Sequence, residues 1–257
     1  MTSDFTDVTE LAGEPVSQEQ VQRLCNRYYW AARYCAEKTV LEVACGAGQG
    51  LGYLAGVAKS ITAGDYSDQV LAIARRHYDG RLPLERFDAQ NLPFPDRSFD
   101  VVILFEAIYY LPAPERFVQE CRRVLRPLGR LLIVTANKDL YDFNPSPHSR
   151  RYFGVPELNR LLSEQGFNAE FFGDTPVDRI TWRQRLLRPV KLLAVRGGLM
   201  PKTMMGKALL KRLVFGRLVS MPAEIRDGLA EIQAPTHLTG DAADRRHKVI
   251  YCAATLM

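Results

Sequence analysis

Residues 40–50 read VLEVACGAGQG. The run opens on β-branched and apolar residues, from Thr39 to Val43, in the pattern of a buried parallel strand. It ends on three glycines, Gly46, Gly48 and Gly50. Beyond them, 51–59 places Leu51, Leu54, Ala55 and Ala58 at helical spacing. The stretch therefore predicts a strand, a glycine turn and a helix. Such a turn lets a ligand reach bare backbone, because no Cβ stands in the way. The start of the helix adds N–H groups with no partner inside the helix. Spacing narrows the ligand. A dinucleotide fingerprint wants glycine at the first, third and sixth positions, but the sixth position counted from Gly46 is Leu51. No Gly-Lys-Ser/Thr follows, so a phosphate-binding P-loop is excluded. What remains is G-x-G-x-G with an acid, Glu42, on the strand itself. A turn that merely joins strand to helix is the plain alternative.

The next strand weakens that alternative. Residues 60–65 form a second short strand ending on Asp65, which lies 19 positions after Gly46. Open α/β sheets bind ligands at the carboxyl ends of their strands, and an acid about 20 residues past the glycine turn can accept both ribose hydroxyls. A carboxylate only accepts, and it takes two O–H donors at once. Asp65 could instead cap the helix expected at 68–78, although Ser67 or Asp68 could do so equally well.

Four stretches in order now match one pattern: VLEVACGAGQG, AGDYS, FDAQNLPFPDRSFDVVILFEAIYYL and ECRRVLRPLGRLLIVTA. Together they resemble the class I S-adenosylmethionine-dependent methyltransferases with a type-11-like core, from about Lys38 to Phe172. The resemblance implies an α/β fold: a doubly wound, seven-stranded, mostly parallel sheet of Rossmann-like type. It implies S-adenosylmethionine as cofactor. The positions it brings to that cofactor are Tyr28, Glu42, Gly46, Gly48, Gly50, Asp65, Tyr66, Asp88, Ala89 and Phe105. Asp88 and Ala89 match the place where relatives recognise adenine, although an aspartate closing a strand also makes an ordinary turn. The helix before the first strand covers the methionine end in such enzymes. Tyr28 or Arg27 could reach the donor there, and the Arg27 cation suits a carboxylate. Cys45 departs from the pattern, since relatives more often carry aspartate or glycine at that place.

At 257 residues, with 47% hydrophobic and 25% charged residues, the length suits one domain with an elaboration. Cys25, Cys35, Cys45, Cys121 and Cys252 are scattered without a CxxC pair. That argues against a zinc site or a disulfide framework and suits a reducing cytoplasm. The first 15 residues read as a loose acidic tail rather than a signal peptide. No apolar run approaches the roughly 18 residues of a membrane span. Ser17 and Gln20 form a candidate capping box for a helix over 18–36, which carries the aromatic cluster Tyr28, Tyr29, Trp30 and Tyr34. Strands are expected at 84–87, 101–105, 130–135, 167–172 and 247–255, with helices at 113–125 and 156–165. The divisions are thus 1–37 (tail and cap helix), 38–172 (cofactor core), 173–246 (an insertion) and 247–257 (final strand).

The insertion is expected to be helical and basic. Between Arg179 and Arg217 there are 11 Lys or Arg and no acid, leaving 23 basic against 29 acidic residues elsewhere. It suits a solvated helical flap, a lid over an anionic acceptor such as a sugar nucleotide, or a peripheral contact with anionic membrane. Nucleic acid is disfavoured, because no RNA-binding module accompanies the charge. A sulfonium methyl is already activated, so such an enzyme mainly aligns donor and acceptor; a hydroxyl acceptor also needs its proton removed. The candidate bases are His148, in the loop 137–151, and Glu106, which follows the central strand beside the methyl group. Tyr109 and Tyr110 stand where relatives often have histidines and could orient the acceptor. The expected activity is methyl transfer to a small-molecule or carbohydrate hydroxyl, as in polysaccharide tailoring. The alternatives are N- or C-methylation of a lipid or secondary metabolite, or cofactor binding without catalysis as a partner protein.

Overall fold

Strand order explains where a ligand can sit. The computed structural model describes residue 6 and residues 8–177 and 218–257. The strands are β1 (Pro15–Ser17), β2 (Thr39–Val43), β3 (Ser60–Asp65), β4 (Leu84–Arg86), β5 (Phe99–Phe105), β6 (Leu125–Ala136), β7 (Phe167–Pro176), β8 (Leu218–Ser220), β9 (Thr236–Leu238) and β10 (His247–Leu256). The helices are α1 (Gln18–Cys35), α2 (Leu51–Ala55), α3 (Asp68–Tyr78), α4 (Pro114–Val124) and α5 (Val155–Ser163). One sheet runs β4-β3-β2-β5-β6-β10-β7-β9. Its pairs are parallel from β4 to β6, and β10 then runs antiparallel to both β6 and β7. The register Val43↔Gly64, Val43↔Leu104 and Phe105↔Val134 brings the carboxyl ends to one edge.

Helices cover both faces. Val40, Val101 and Ile103 pack beneath α1 and α2, while Leu41, Val102 and Leu104 pack beneath α4 and α5. Consecutive residues of β2 and β5 thus bury opposite faces, which is why these strands read as continuous apolar runs. On α4, Phe117, Val118, Cys121 and Val124 form the buried stripe. Helix α1 begins on the Ser17–Gln20 capping box, with reciprocal 3.2 Å bonds. Its Trp30 packs 5.0 Å from the Tyr251 ring on β10. The five cysteines are free and buried.

Several expectations need correction. The seven expected strands are present, and among the described residues a short eighth strand, β9, adds an edge beyond β7. Helix α2 stops at Ala55, where Gly56 ends it, rather than reaching residue 59. Strand β6 begins at Leu125, and the expected turn at 127–129 is an irregularity within it, with Leu128 at φ 62°. Residues 8–17 are no loose tail, for β1 pairs with β8, and Gly13 and Glu14 bond the backbone of Met221. In the expected helical insertion, the described residues 218–246 hold β8 and β9 and no helix. Pro222, Gly228, Pro235 and Gly240 break that stretch before a helix can propagate. The whole basic run from Arg179 to Arg217, where the helices were expected, lies outside the described residues.

Candidate functional site

The carboxyl ends of β2, β3 and β5 open onto a cavity of about 710 Å³. The chain works outward from β2 to β4 and then returns to place β5 against β2. Such a reversal opens a crevice in an α/β sheet.

The glycine turn forms its floor. Gly46, at φ 59°, is on the cavity wall with Ala47 and Gln49. Gly48 and Gly50 lie off the wall and serve packing. A Cβ on Gly50 would overlap the Tyr28 ring, and one on Gly48, at φ 81°, would stand 3.1 Å from the Tyr78 ring. Tyr78 closes the turn from behind, its hydroxyl donating to the Gly48 carbonyl at 2.7 Å.

Glu42 is only 1% exposed, yet it borders the cavity. The Tyr28 hydroxyl donates to its Oε1 at 2.6 Å. Its Oε2 is buried with no hydrogen-bond partner among the described residues. Burial pushes this carboxyl up to about 7, against the opposing pull of the Tyr28 hydrogen bond and the Arg27 charge. A buried, half-satisfied carboxylate beside a cavity suits a cation. Burial also holds the Tyr28 phenol and the Cys45 thiol well above their usual ranges.

Asp65 clamps the glycine turn to β3. The Gly46 N–H donates to its Oδ2 at 3.0 Å and the Ser67 N–H to its Oδ1 at 2.9 Å. Ser67, not Asp65, caps α3. Burial raises the Asp65 carboxyl, and the N–H groups of Ser67, Gly46 and Tyr66 oppose the rise. Each oxygen has a further lone pair for a hydroxyl donor. Asp88 is a turn residue in fact, its Oδ1 taking the Gln90 N–H and side-chain amide at 2.9 and 3.2 Å. It and the buried Ala89 nevertheless border the cavity. Tyr66 lies half exposed on the wall, with the Arg86 guanidinium 5.8 Å from its ring. Phe105 meets the Tyr28 ring edge-on at 5.3 Å.

The far end is built differently. Glu106 leaves β5 at φ 51°, in the left-handed region that costs a residue with a side chain on the order of 1 kcal/mol. That turn aims its carboxylate into the cavity, where Arg23 approaches at 3.3 Å and the Tyr109 hydroxyl donates at 3.1 Å. Tyr109 is buried and stacked on Tyr152, with ring centroids 4.4 Å apart. Burial, with the Glu106 charge beside it, holds its phenol well above the usual range. Tyr110 shares a 2.7 Å hydrogen bond with the Ser146 hydroxyl. His148, at φ 64°, and Arg150 are exposed on the rim.

The cavity thus gathers Tyr28, Glu42, Gly46, Asp65, Tyr66, Asp88, Ala89, Phe105, Glu106, Tyr109 and His148. Sequence reasoning passed over Glu10, Arg23, Gln49 and Arg150, which line it too. Arg23 was findable, because it lies one turn before Arg27 on the same helix face. Glu10 carried no such signal. Among the described residues, no helix is long and apolar enough to cross a membrane.

Comparisons with known proteins agree with this geometry. Residues 41–133 match the family model of a methyltransferase domain. A probable S-adenosylmethionine-dependent methyltransferase of Mycolicibacterium smegmatis is 34% identical over 171 residues, covering 61% of this chain and 66% of that protein. A fatty-acid O-methyltransferase of the same organism is 33% identical over 159 residues, covering 59% of this chain and 53% of that protein. The chain thus spans about half to two thirds of the length of these curated relatives. Among solved structures, an S-adenosylmethionine-dependent methyltransferase of Thermotoga maritima, described as a possible histamine N-methyltransferase, superposes with a TM-score of 0.58. It is 17% identical, and the match covers 93% of this chain and 92% of that one, a likeness of fold alone. With the glycine turn, its two acids and the strand order in hand, residues 41–133 form a methyltransferase domain of the class I S-adenosylmethionine-dependent type.

Proposed function

We propose that this protein transfers the methyl group of S-adenosylmethionine to a hydroxyl oxygen of a small molecule. In this reading Asp65 accepts the ribose hydroxyls, while Asp88 and the Ala89 N–H meet the adenine edge. The unpartnered Oε2 of Glu42 faces the cofactor's amino group, and Arg27 its carboxylate. Gly46 admits the chain between them, and Tyr66 and Phe105 pack on its apolar parts. When bound, the cofactor supplies a methyl group whose leaving group is a neutral thioether.

The observation that carries the proposal is the carboxylate of Glu106. It is aimed by a strained backbone, borders the cavity past the end of β5, and is held by Arg23 and the Tyr109 hydroxyl. So held, it can take the acceptor's proton without reorganising. Tyr109 and Tyr110 then orient the acceptor, and His148 on the rim is the alternative proton carrier.

For the acceptor, a lipid-like alcohol is favoured over a carbohydrate. The far wall carries Tyr109, Leu111 and Pro112, and the relative named above acts on fatty acids. A sugar nucleotide is the second reading, supported by Arg150 on the rim and by the 11 cations between Arg179 and Arg217. Those cations equally suit an anionic membrane surface. Incubation with methyl-labelled cofactor and a panel of long-chain alcohols, hydroxy acids and sugar nucleotides tests the proposal. Formation of S-adenosylhomocysteine with label on an acceptor oxygen supports it. Label on nitrogen or carbon would shift it to another methyltransferase class. Cofactor binding with no turnover on any acceptor would favour a non-catalytic partner protein.

A further inference from the structure

The N-terminal segment crosses the site. Val8, Thr9 and Glu10 line the cavity. The Glu10 carbonyl accepts from the Gln49 side-chain amide at 2.5 Å, which pins the segment to the glycine turn. The Thr9 methyl lies so that a Cβ on Gly46 would meet it at 3.5 Å. The Glu10 carboxylate ends 2.8 Å from the Arg27 guanidinium. Arg27 is largely buried, its side chain 13% exposed, whereas that of Glu10 is 34% exposed.

We propose that Glu10 is a built-in competitor for the cofactor's carboxylate, holding Arg27 in the resting site and giving it up when the cofactor enters. This rests on the cofactor reading above. A guanidinium buried this far needs an anion beside it, and Glu10 supplies one. An entering α-carboxylate presents the same chemistry to the same cation. Exchange of one carboxylate for the other leaves the local charge unchanged, whereas adding the second beside the first would crowd two anions on one cation.

The release has a route outward. Gln49, which holds the Glu10 carbonyl, also accepts the Ile225 N–H at its own carbonyl, at 2.8 Å. Gly13 and Glu14 exchange backbone bonds of 2.9 Å with Met221, and β1 continues the pairing with β8. Residues 8–17 and 218–225 therefore form one strap. Cofactor entry at Arg27 loosens one end of it.

Calorimetric titration of wild type, Glu10→Gln and Glu10→Ala with S-adenosylhomocysteine and with 5′-methylthioadenosine tests this. The second compound lacks the amino-acid group. Removing a partly exposed ion pair from the resting state should tighten S-adenosylhomocysteine binding about fivefold. Affinity for 5′-methylthioadenosine should not change. With Arg27→Met in the background, Glu10→Gln should bring no gain. Unchanged or weaker S-adenosylhomocysteine binding in both Glu10 variants would overturn the proposal, because Glu10 would then be a bystander or a ligand. An equal gain for 5′-methylthioadenosine would also overturn it, pointing to a general loosening of the segment. If wild type bound neither compound, the cofactor reading itself would fail and take the proposal with it.

Discussion

Tyr28 and Glu42 are joined by a 2.6 Å hydrogen bond between α1 and β2, and that bond satisfies one carboxylate oxygen while the other has no partner among the described residues. Burial holds this carboxyl at about 7, against an ordinary 4.5. Between those values the folded protein binds more protons than the unfolded chain, so stability falls as pH rises through the window and stays lower above it. At about 1.4 kcal/mol per unit, the cost above neutrality is on the order of 3 kcal/mol. Glu42→Gln should retain the Tyr28 bond, remove most of this slope and raise the thermal midpoint at pH 8. Unfolding curves at pH 5 and pH 8 check it; an unchanged difference between the two would mean that Glu42 does not titrate there.

The same carboxyl predicts a pH dependence of binding. A cationic amino group pairs with the ionised form only, so S-adenosylhomocysteine affinity should drop as pH falls below about 7, approaching tenfold per unit. Glu42→Gln should bind weakly at every pH. Calorimetry in buffers of different ionisation enthalpy should show proton release in wild type and none in the variant.

Asp65 clamps the turn and, in the proposed reading, also takes the ribose hydroxyls, so its loss should appear in two readouts. Asp65→Ala leaves the N–H groups of Gly46 and Ser67 without an acceptor and removes the partner of the ribose hydroxyls. Cofactor affinity should fall by roughly 1–3 kcal/mol, with a loss of stability of similar size. Unchanged affinity in a folded variant would refute the ribose assignment.

Gly50 is small because of Tyr28. Gly50→Ala forces its new methyl into the Tyr28 ring, an overpacking that typically costs about 1–3 kcal/mol. Tyr28→Ala alone leaves a hole and an unpaired carboxylate. The double variant should be more stable than the sum of the two single losses, because the added methyl enters the vacated space. Simple additivity in denaturant melts would show that the two positions do not press on each other.

Glu106 and His148 can be separated kinetically. Glu106→Gln should cut turnover on a hydroxyl acceptor by about 10²–10⁴-fold and leave S-adenosylhomocysteine affinity within about twofold. His148→Ala should cost much less, given its exposed place on the rim. The reverse ranking would make His148 the base.

The parts of this molecule legible in its sequence are those fixed by neighbours along the chain. The glycine turn, its flanking strands and the Ser17 capping box follow from local sterics and hydrogen bonding. Asp65 and Asp88 were findable because strand ends in a doubly wound sheet share one edge. Helical spacing places Arg23 on the face of Arg27, but its contact with Glu106 spans 83 positions and that of Glu10 with Arg27 spans 17, and short-range periodicity carries no signal of either contact. Gly48 and Gly50 resemble ligand glycines in text. Only the tyrosine rings behind them show that packing accounts for both. The edge strand β9 is three residues long, too short for alternation to reveal it.

Strand β10 lies between β6 and β7, although it follows both in the chain. A ribosome making this protein therefore delivers the antiparallel half of the sheet in the wrong order for stepwise assembly. When β6 and β7 have emerged, the slot between them is still empty, and Ile133, Phe171 and their neighbours have no lasting cover. The nascent chain must wait for residues 247–256 to clear the exit tunnel before that half can close. Chaperone dependence during synthesis, and degradation of chains stalled before residue 247, are the cellular signatures such an arrangement should leave.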